Sequence, residues 1–231
     1  MTSFFGTPAM LALDGLMIAW TWWVLSRNPA TRTIRSTVVV ALTAWLGVLY
    51  IIFAIVQPLP AALTGIAFYG IVLTGVAAIG ALLLGPGAVR RRVLALDQRQ
   101  LMLFQGIRIY FGAAFLIQGG LGLLPATFGV IDGLSHITAG FLGLIAAMAV
   151  STSAISTRRV WLANLFGLAD ILVVATTLAF ILLPQIGPHH PMMYAVFLPA
   201  PLWLWAHIVS IARPLNPGTA HSESIAGTAR T

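Results

Sequence analysis

Seven long apolar runs, parted by short polar breaks, restrict this chain to a bundle of membrane-crossing helices. About 20 apolar residues span a bilayer as α-helix. The runs cover residues 8–25, 37–56, 61–84, 101–124, 131–152, 160–183 and 194–212. The residues are 59% hydrophobic and 7% charged, and the mean hydropathy is +0.98. No soluble core hides that much apolar surface. Proline and glycine mark most breaks, with Pro125, Pro184 and Pro214 expected to stop the fourth, sixth and seventh helices. The expected fold is all-α: one domain of seven transmembrane helices over residues 1–215. A disordered tail rich in Gly, Ala, Ser and Thr is expected over 216–231.

The arginines assign an orientation. Arg27, Arg32 and Arg35 follow the first run; Arg90, Arg91, Arg92 and Arg99 follow the third. Arg158 and Arg159 follow the fifth, and Arg213 and Arg230 follow the seventh. All of these fall in alternate loops, and the intervening loops carry none. Positive residues stay cytoplasmic. The N-terminus is therefore expected outside and the C-terminus in the cytoplasm, in a multi-pass protein of a bacterial inner membrane. Met1 to Gly6 carries no positive charge, unlike a secretory signal peptide. The first run is thus read as a retained span.

Composition removes several functions. With no cysteine there is no disulfide, thiolate metal site or thiol redox chemistry. With no lysine there is no Schiff-base chromophore. The net charge of +7 points to orientation and anionic lipid rather than to nucleic acid. The expected partners are the bilayer and, beyond it, other membrane subunits or further copies of the chain. Glycines 119, 120 and 122, with 140 and 143, thin the fourth and fifth helices, and that hairpin is expected to pack closely.

An ionisable group in lipid is costly, by about 2.5–3.5 kcal/mol even on insertion scales, so the few buried ones are candidate sites. Counting from the ends of the runs sorts them into two layers. The outer layer holds Asp14, Gln118, Asp132 and His136, with His189 and His190 in the loop above. The deeper layer holds Arg108, Asp170, His207 and Asn164. Arg108, Asp170 and His207 come from three helices at overlapping depths. They read either as a charge-lined path, with Asp170 a proton or cation relay, or as an Arg108–Asp170 ion pair with His207 beside it.

Asp132 and His136, at i and i+4, share a helix face. With His189 and His190 they offer imidazole and carboxylate ligands to a metal. The alternative is solvated interfacial histidines, with Asp132 capping its helix. A bis-histidine haem between His136 and His207 is disfavoured, since their depths differ by roughly 10 Å by helical rise. No cofactor is required by the sequence. Most tryptophans, Trp203 among them, lie towards helix ends, where aromatic belts form. No hydrolase elbow or phosphate-binding loop is present.

The second half resembles uncharacterised polytopic integral membrane families of bacteria. The resemblance rests on RIYFGAAFLIQGGLGLLPATFGVIDGLSHITAGFLGL (Arg108 to Leu144), NLFGLADILVVATTLAFILLP (Asn164 to Pro184) and FLPAPLWLWAHIVSI (Phe197 to Ile211). In those families an Arg opens one helix, an Asp sits in a GLxD helix and a His closes the last. Arg108, Asp170 and His207 match that pattern. The families' Gly-Asp step is reversed here as Asp132-Gly133. Their function is unknown, so the resemblance implies no activity. The expected role is non-enzymatic: moving or sensing a small solute or proton through the Arg/Asp/His cluster. The alternatives are an accessory subunit of a larger membrane complex and an outer-face metal-binding protein or metalloenzyme.

Overall fold

The computed structural model of the chain describes residues 3–150 and 155–213, and every regular element among them is helical. Helix α1 (Ser3–Ser26) is followed by the one-turn α2 (Pro29–Arg32) and by α3 (Arg35–Tyr50), which runs on as a π-helical segment, Ile51–Val56. Next come α4 (Gly65–Leu84) and the short α5 (Gly87–Val93). The fourth crossing is divided into α6 (Gln98–Gln105) and α7 (Arg108–Gly120), and α8 (Ala126–Ala149) forms the fifth. Helix α9 (Ile155–Thr177), a π-helical segment over Leu178–Leu182 and α10 (Leu183–Ile186) make one rod; α11 (Met193–Phe197) and α12 (Pro199–Ala212) complete the bundle. Within these lie seven helical stretches long and apolar enough to cross a membrane: Gly6–Ser26, Arg35–Val56, Gly65–Leu84, Gln98–Gly120, Ala126–Ala149, Thr157–Ile186 and Met193–Ala212. This is the make-up of an integral membrane protein.

Local chemistry sets the boundaries. Asp97 starts α6 through a capping box: its carboxylate accepts from the Gln100 amide at 2.7 Å, and the Gln100 side chain accepts from the Asp97 amide at 3.1 Å. The Gln100 amide group then donates to the Val24 carbonyl and to Thr31 Oγ1, tying α6 to the end of α1 and to α2. Tight i to i−3 bonds at Gly106, Ile109 and Tyr110 separate α6 from α7.

Several ends differ from the expected ones. The third crossing starts at Gly65, after the Pro58–Leu59–Pro60 turn, where Thr64 accepts from the Ala67 amide. The fourth stops at Gly120, because Gly122 takes a left-handed φ of 69°. The fifth starts at Ala126, straight after Pro125, and not at residue 131. Pro184 does not end the sixth. The Leu183 amide bonds back to Leu178, five residues earlier, and this wider turn carries the helix past the proline to Gly187. The far end of the fifth run and the expected tail over 216–231 lie outside the described residues.

The packing has a centre and a periphery. The fourth and seventh crossings are each 56% buried, the second and third 11%. The fifth is 44% buried, the first 39% and the sixth 28%, so the fourth, fifth and seventh form the core with the first and sixth against it. Helix α3 with its π-helical extension, and α4, present apolar side chains such as Val40, Ile55, Ile66 and Leu82 outward. The closest pairing is α7 on α8. A Cβ on Gly112 would strike the Gly133 carbonyl, and one on Gly129 would lie 2.9 Å from Gly119 Cα. On α8, Gly129, Gly133, His136, Gly140 and Gly143 recur at steps of three and four, so one face carries all five. That face lies against α6 and α7, and it takes His136 inward with it.

Candidate functional site

Helix α7 begins with Arg108, whose side chain has no solvent exposure and points into the bundle. Its Nη2 donates to Asp170 Oδ2 of α9. Its Nη1 faces His207 Nε2 of α12 at 3.4 Å and the Gly167 carbonyl at 3.5 Å. The guanidinium carbon lies 5.1 Å from the Trp203 ring centroid, a cation–π distance. Gly167 makes room for this meeting, since a Cβ there would overlap the His207 ring and sit 3.3 Å from Arg108 Nη1.

A polar chain runs on from His207. A guanidinium only donates, so His207 Nε2 receives and Nδ1 carries the proton. Nδ1 then donates to Asn164 Oδ1 at 2.9 Å, and Asn164 Nδ2 donates to Ser210 Oγ at 2.7 Å. Gln98, at the start of α6, donates to the same hydroxyl.

On the other side of Asp170 stands His136. Its Nδ1 lies 3.1 Å from Asp170 Oδ2 and 3.2 Å from Asp132 Oδ1, one turn earlier on α8. The imidazole is thus shared between two carboxylates of different helices, and neither contact has hydrogen-bond geometry. Both Asp132 oxygens, His136 Nδ1 and Asp170 Oδ1 are buried without a hydrogen-bond partner among the described residues. Phe115 and Trp203 meet the imidazole edge-on at 5.7 and 5.4 Å, and fix its plane. Asp132, His136 and Asp170 each present one ligand atom, all within 4.8 Å of one another, a spacing suited to one shared cation.

Asp132 and His136 also floor a cavity of about 140 Å³ between α4, α9, α11 and α12. Its walls are apolar and aromatic, among them Phe68, Tyr69, Val72, Ala175 and Trp203, and it extends to Met192. Leu73 and Leu172, more than half exposed, flank its opening on the outer surface of the bundle. A larger apolar cavity, about 510 Å³, lies near Arg92 and Gln100, and no carboxylate or imidazole lines it.

The two layers expected from the sequence do not exist as such. Helix α8 starts at Ala126, so Asp132 and His136 lie deeper than a start at 131 implies. Arg108, His136 and Asp170 each fall near the middle of their crossings. His136 and His207 stand on opposite sides of the Arg108–Asp170 pair, His136 against the carboxylate and His207 against the guanidinium. Asp132 does not cap α8; Pro125 holds that position.

Other candidates stand apart. Asp14 is fully buried on α1, and neither carboxylate oxygen has a partner among the described residues. Gln118 donates to Met10 Sδ at 3.5 Å, one turn from Asp14. His189 Nε2 lies 2.8 Å from the Leu59 carbonyl. His190 Nδ1 accepts from the Met192 amide at 3.2 Å. Burial lowers the His190 pKa, and a hydrogen bond to the Leu123 carbonyl offsets part of that. Neither loop histidine joins the Asp132–His136–Asp170 group.

Trp203, Ser210 and Gln98 belong to the arrangement and escape the sequence reading. Trp203 is not a belt residue: it is 1% exposed and packs on Arg108 and His136. Its spacing of four from His207, on a helix opened by Pro199 and Pro201, was the available signal.

Residues 84–214, more than half of the 231-residue chain, match a family model described as a domain of unknown function (DUF8737). The match contains Arg108, Asp132, His136, Asn164, Asp170, Trp203 and His207, and excludes Asp14. No curated protein matches the chain, and no solved structure does.

Proposed function

The chain belongs to this family of unknown function, and we propose from its buried groups that it is a proton-linked membrane carrier or sensor. The site would be Asp132, His136 and Asp170. The observation that carries this reading is the position of His136 Nδ1, 3.1 and 3.2 Å from two carboxylates at the floor of a cavity. Charge counting defines what the site takes. Asp132 and Asp170 contribute two negative charges and Arg108 one positive; neutral imidazoles add nothing. One positive unit restores balance, and a proton is the smallest. A divalent ion would leave the buried group with an excess positive charge, and burying unpaired charge is costly.

The path does not read as a proton channel. A guanidinium stays protonated, and an amide side chain has no acidic proton to pass on. Arg108 and Asn164 therefore interrupt the chain towards Gln98. A proton reaching Asp132 from the cavity is held there, which suits coupling or sensing and not free conduction. The groups in this count are Arg108 of α7, Asp132 and His136 of α8, Asp170 of α9 and His207 of α12, and Tyr69 of α4 also faces the cavity. We take the group to bind and release, not to break bonds. The finer placement proposed with this is seven crossings of a bacterial inner membrane, N-terminus outside, with lipid as the surrounding partner.

Infrared difference spectra of the purified protein, titrated through neutral pH, test the site. A carboxylic-acid band that titrates in the parent and is lost in Asp132→Asn or Asp170→Asn is the expected result. A band unchanged in both variants, or lost only in Asp14→Asn, refutes it.

A further inference from the structure

The cavity above Asp132 has a shape and a chemistry that define a ligand class. We propose that it binds a small lipophilic amine, taken up from the apolar phase and held as its ammonium form on Asp132. This rests on the proton-binding reading of the same site and names what takes up the proton.

Three observations carry it. The first is size. About 140 Å³ is close to the roughly 150 Å³ of an apolar cavity that accepts benzene, so the ligand's body is one ring or a short branched chain. The second is the wall. It is apolar and aromatic, with Phe68, Tyr69 and Trp203 offering ring surfaces that favour a cation. The third is the floor. Both Asp132 oxygens have no hydrogen-bond partner among the described residues, and the surrounding charge is one positive unit short. Buried acceptors on a negative site select a ligand that donates and carries one positive charge. Carboxylic acids and neutral alcohols each fail one of those terms.

The opening between Leu73 and Leu172 faces outward from the bundle among apolar side chains. An amine crosses such surroundings in its neutral form. At the site, the proton held on the Asp132 carboxyl passes to the amine nitrogen. One O–H bond breaks, one N–H bond forms, and an ammonium–carboxylate pair remains. No other reactant is needed.

Benzylamine is the probe, with benzyl alcohol as its neutral counterpart of nearly the same shape. Binding is followed by calorimetry and by thermal stabilisation of the full chain in nanodiscs. In the parent, benzylamine is expected to bind at least about tenfold more tightly than benzyl alcohol, as charge-assisted hydrogen bonds do. Asp132→Asn should abolish that preference. Ala175→Phe places a ring in the cavity without touching the charges. It should lose benzylamine binding while keeping the titrating carboxyl seen by infrared. Equal binding of amine and alcohol overturns the proposal, as does amine binding that survives both variants. Stoichiometric zinc binding that depends on Asp132 and excludes benzylamine overturns it in favour of a metal. A carboxyl that titrates normally in a protein indifferent to benzylamine sinks this inference alone. Amine binding without a titrating Asp132 carboxyl sinks the proton reading.

Discussion

Arg108 and Asp170 sit where no solvent screens them, so each depends on the other. Removing one partner of a buried pair leaves a naked charge, at a cost on the order of 3–5 kcal/mol. Arg108→Leu alone is therefore expected to lower thermal stability in detergent strongly. Arg108→Leu with Asp170→Leu removes one charge of each sign and should recover much of the loss. Additive damage would show that the two side chains do not depend on each other. The sequence alone put Arg108, Asp170 and His207 at overlapping depths, because depth follows from helical rise once a run is located. It misplaced Asp132 and His136 for a single reason, a start five residues too late on α8. The spacing of His136 among Gly129, Gly133, Gly140 and Gly143 held the information that this residue faces a packed neighbour. Trp203 was misassigned because distance from a helix end says nothing about which way a side chain points.

Helix α8 lies on α7 because glycine faces glycine there. Gly112 sits against the Gly133 carbonyl and Ile137, whereas Gly70 on α4 has nothing within 4 Å of a built Cβ. Gly112→Leu should thus part the two helices that carry Arg108 and His136. It should cost about 1–3 kcal/mol or more, as overpacking does. Gly70→Leu should be close to neutral. Equal thermal stability of the two variants would remove the seam from the account. The tight fourth–fifth hairpin was legible from glycine content. The passage of the sixth helix beyond Pro184 was not. A π-turn depends on what its carbonyls meet, and here Gly65 of α4 abuts the Ala179 carbonyl, a contact that no local sequence window contains.

At the scale of the molecule, all the cluster residues lie in the part that matches the family model, and the two most exposed crossings lie outside it. Orientation rests on arginine placement alone. A C-terminal fluorescent protein is expected to glow, and a C-terminal alkaline phosphatase to stay inactive. The opposite pair of results would invert the topology and with it the side from which the cavity is reached. Under the proton-binding role proposed above, the two-to-one ratio of carboxylates to guanidinium also ties the site to the membrane potential. When the site is filled it is electrically balanced, and the voltage does no work on it. When empty it carries one negative charge, and moving such a charge across the whole membrane is worth about 2.3 kcal/mol per 100 mV. Emptying the site is therefore helped by the cell's voltage towards one face and resisted towards the other.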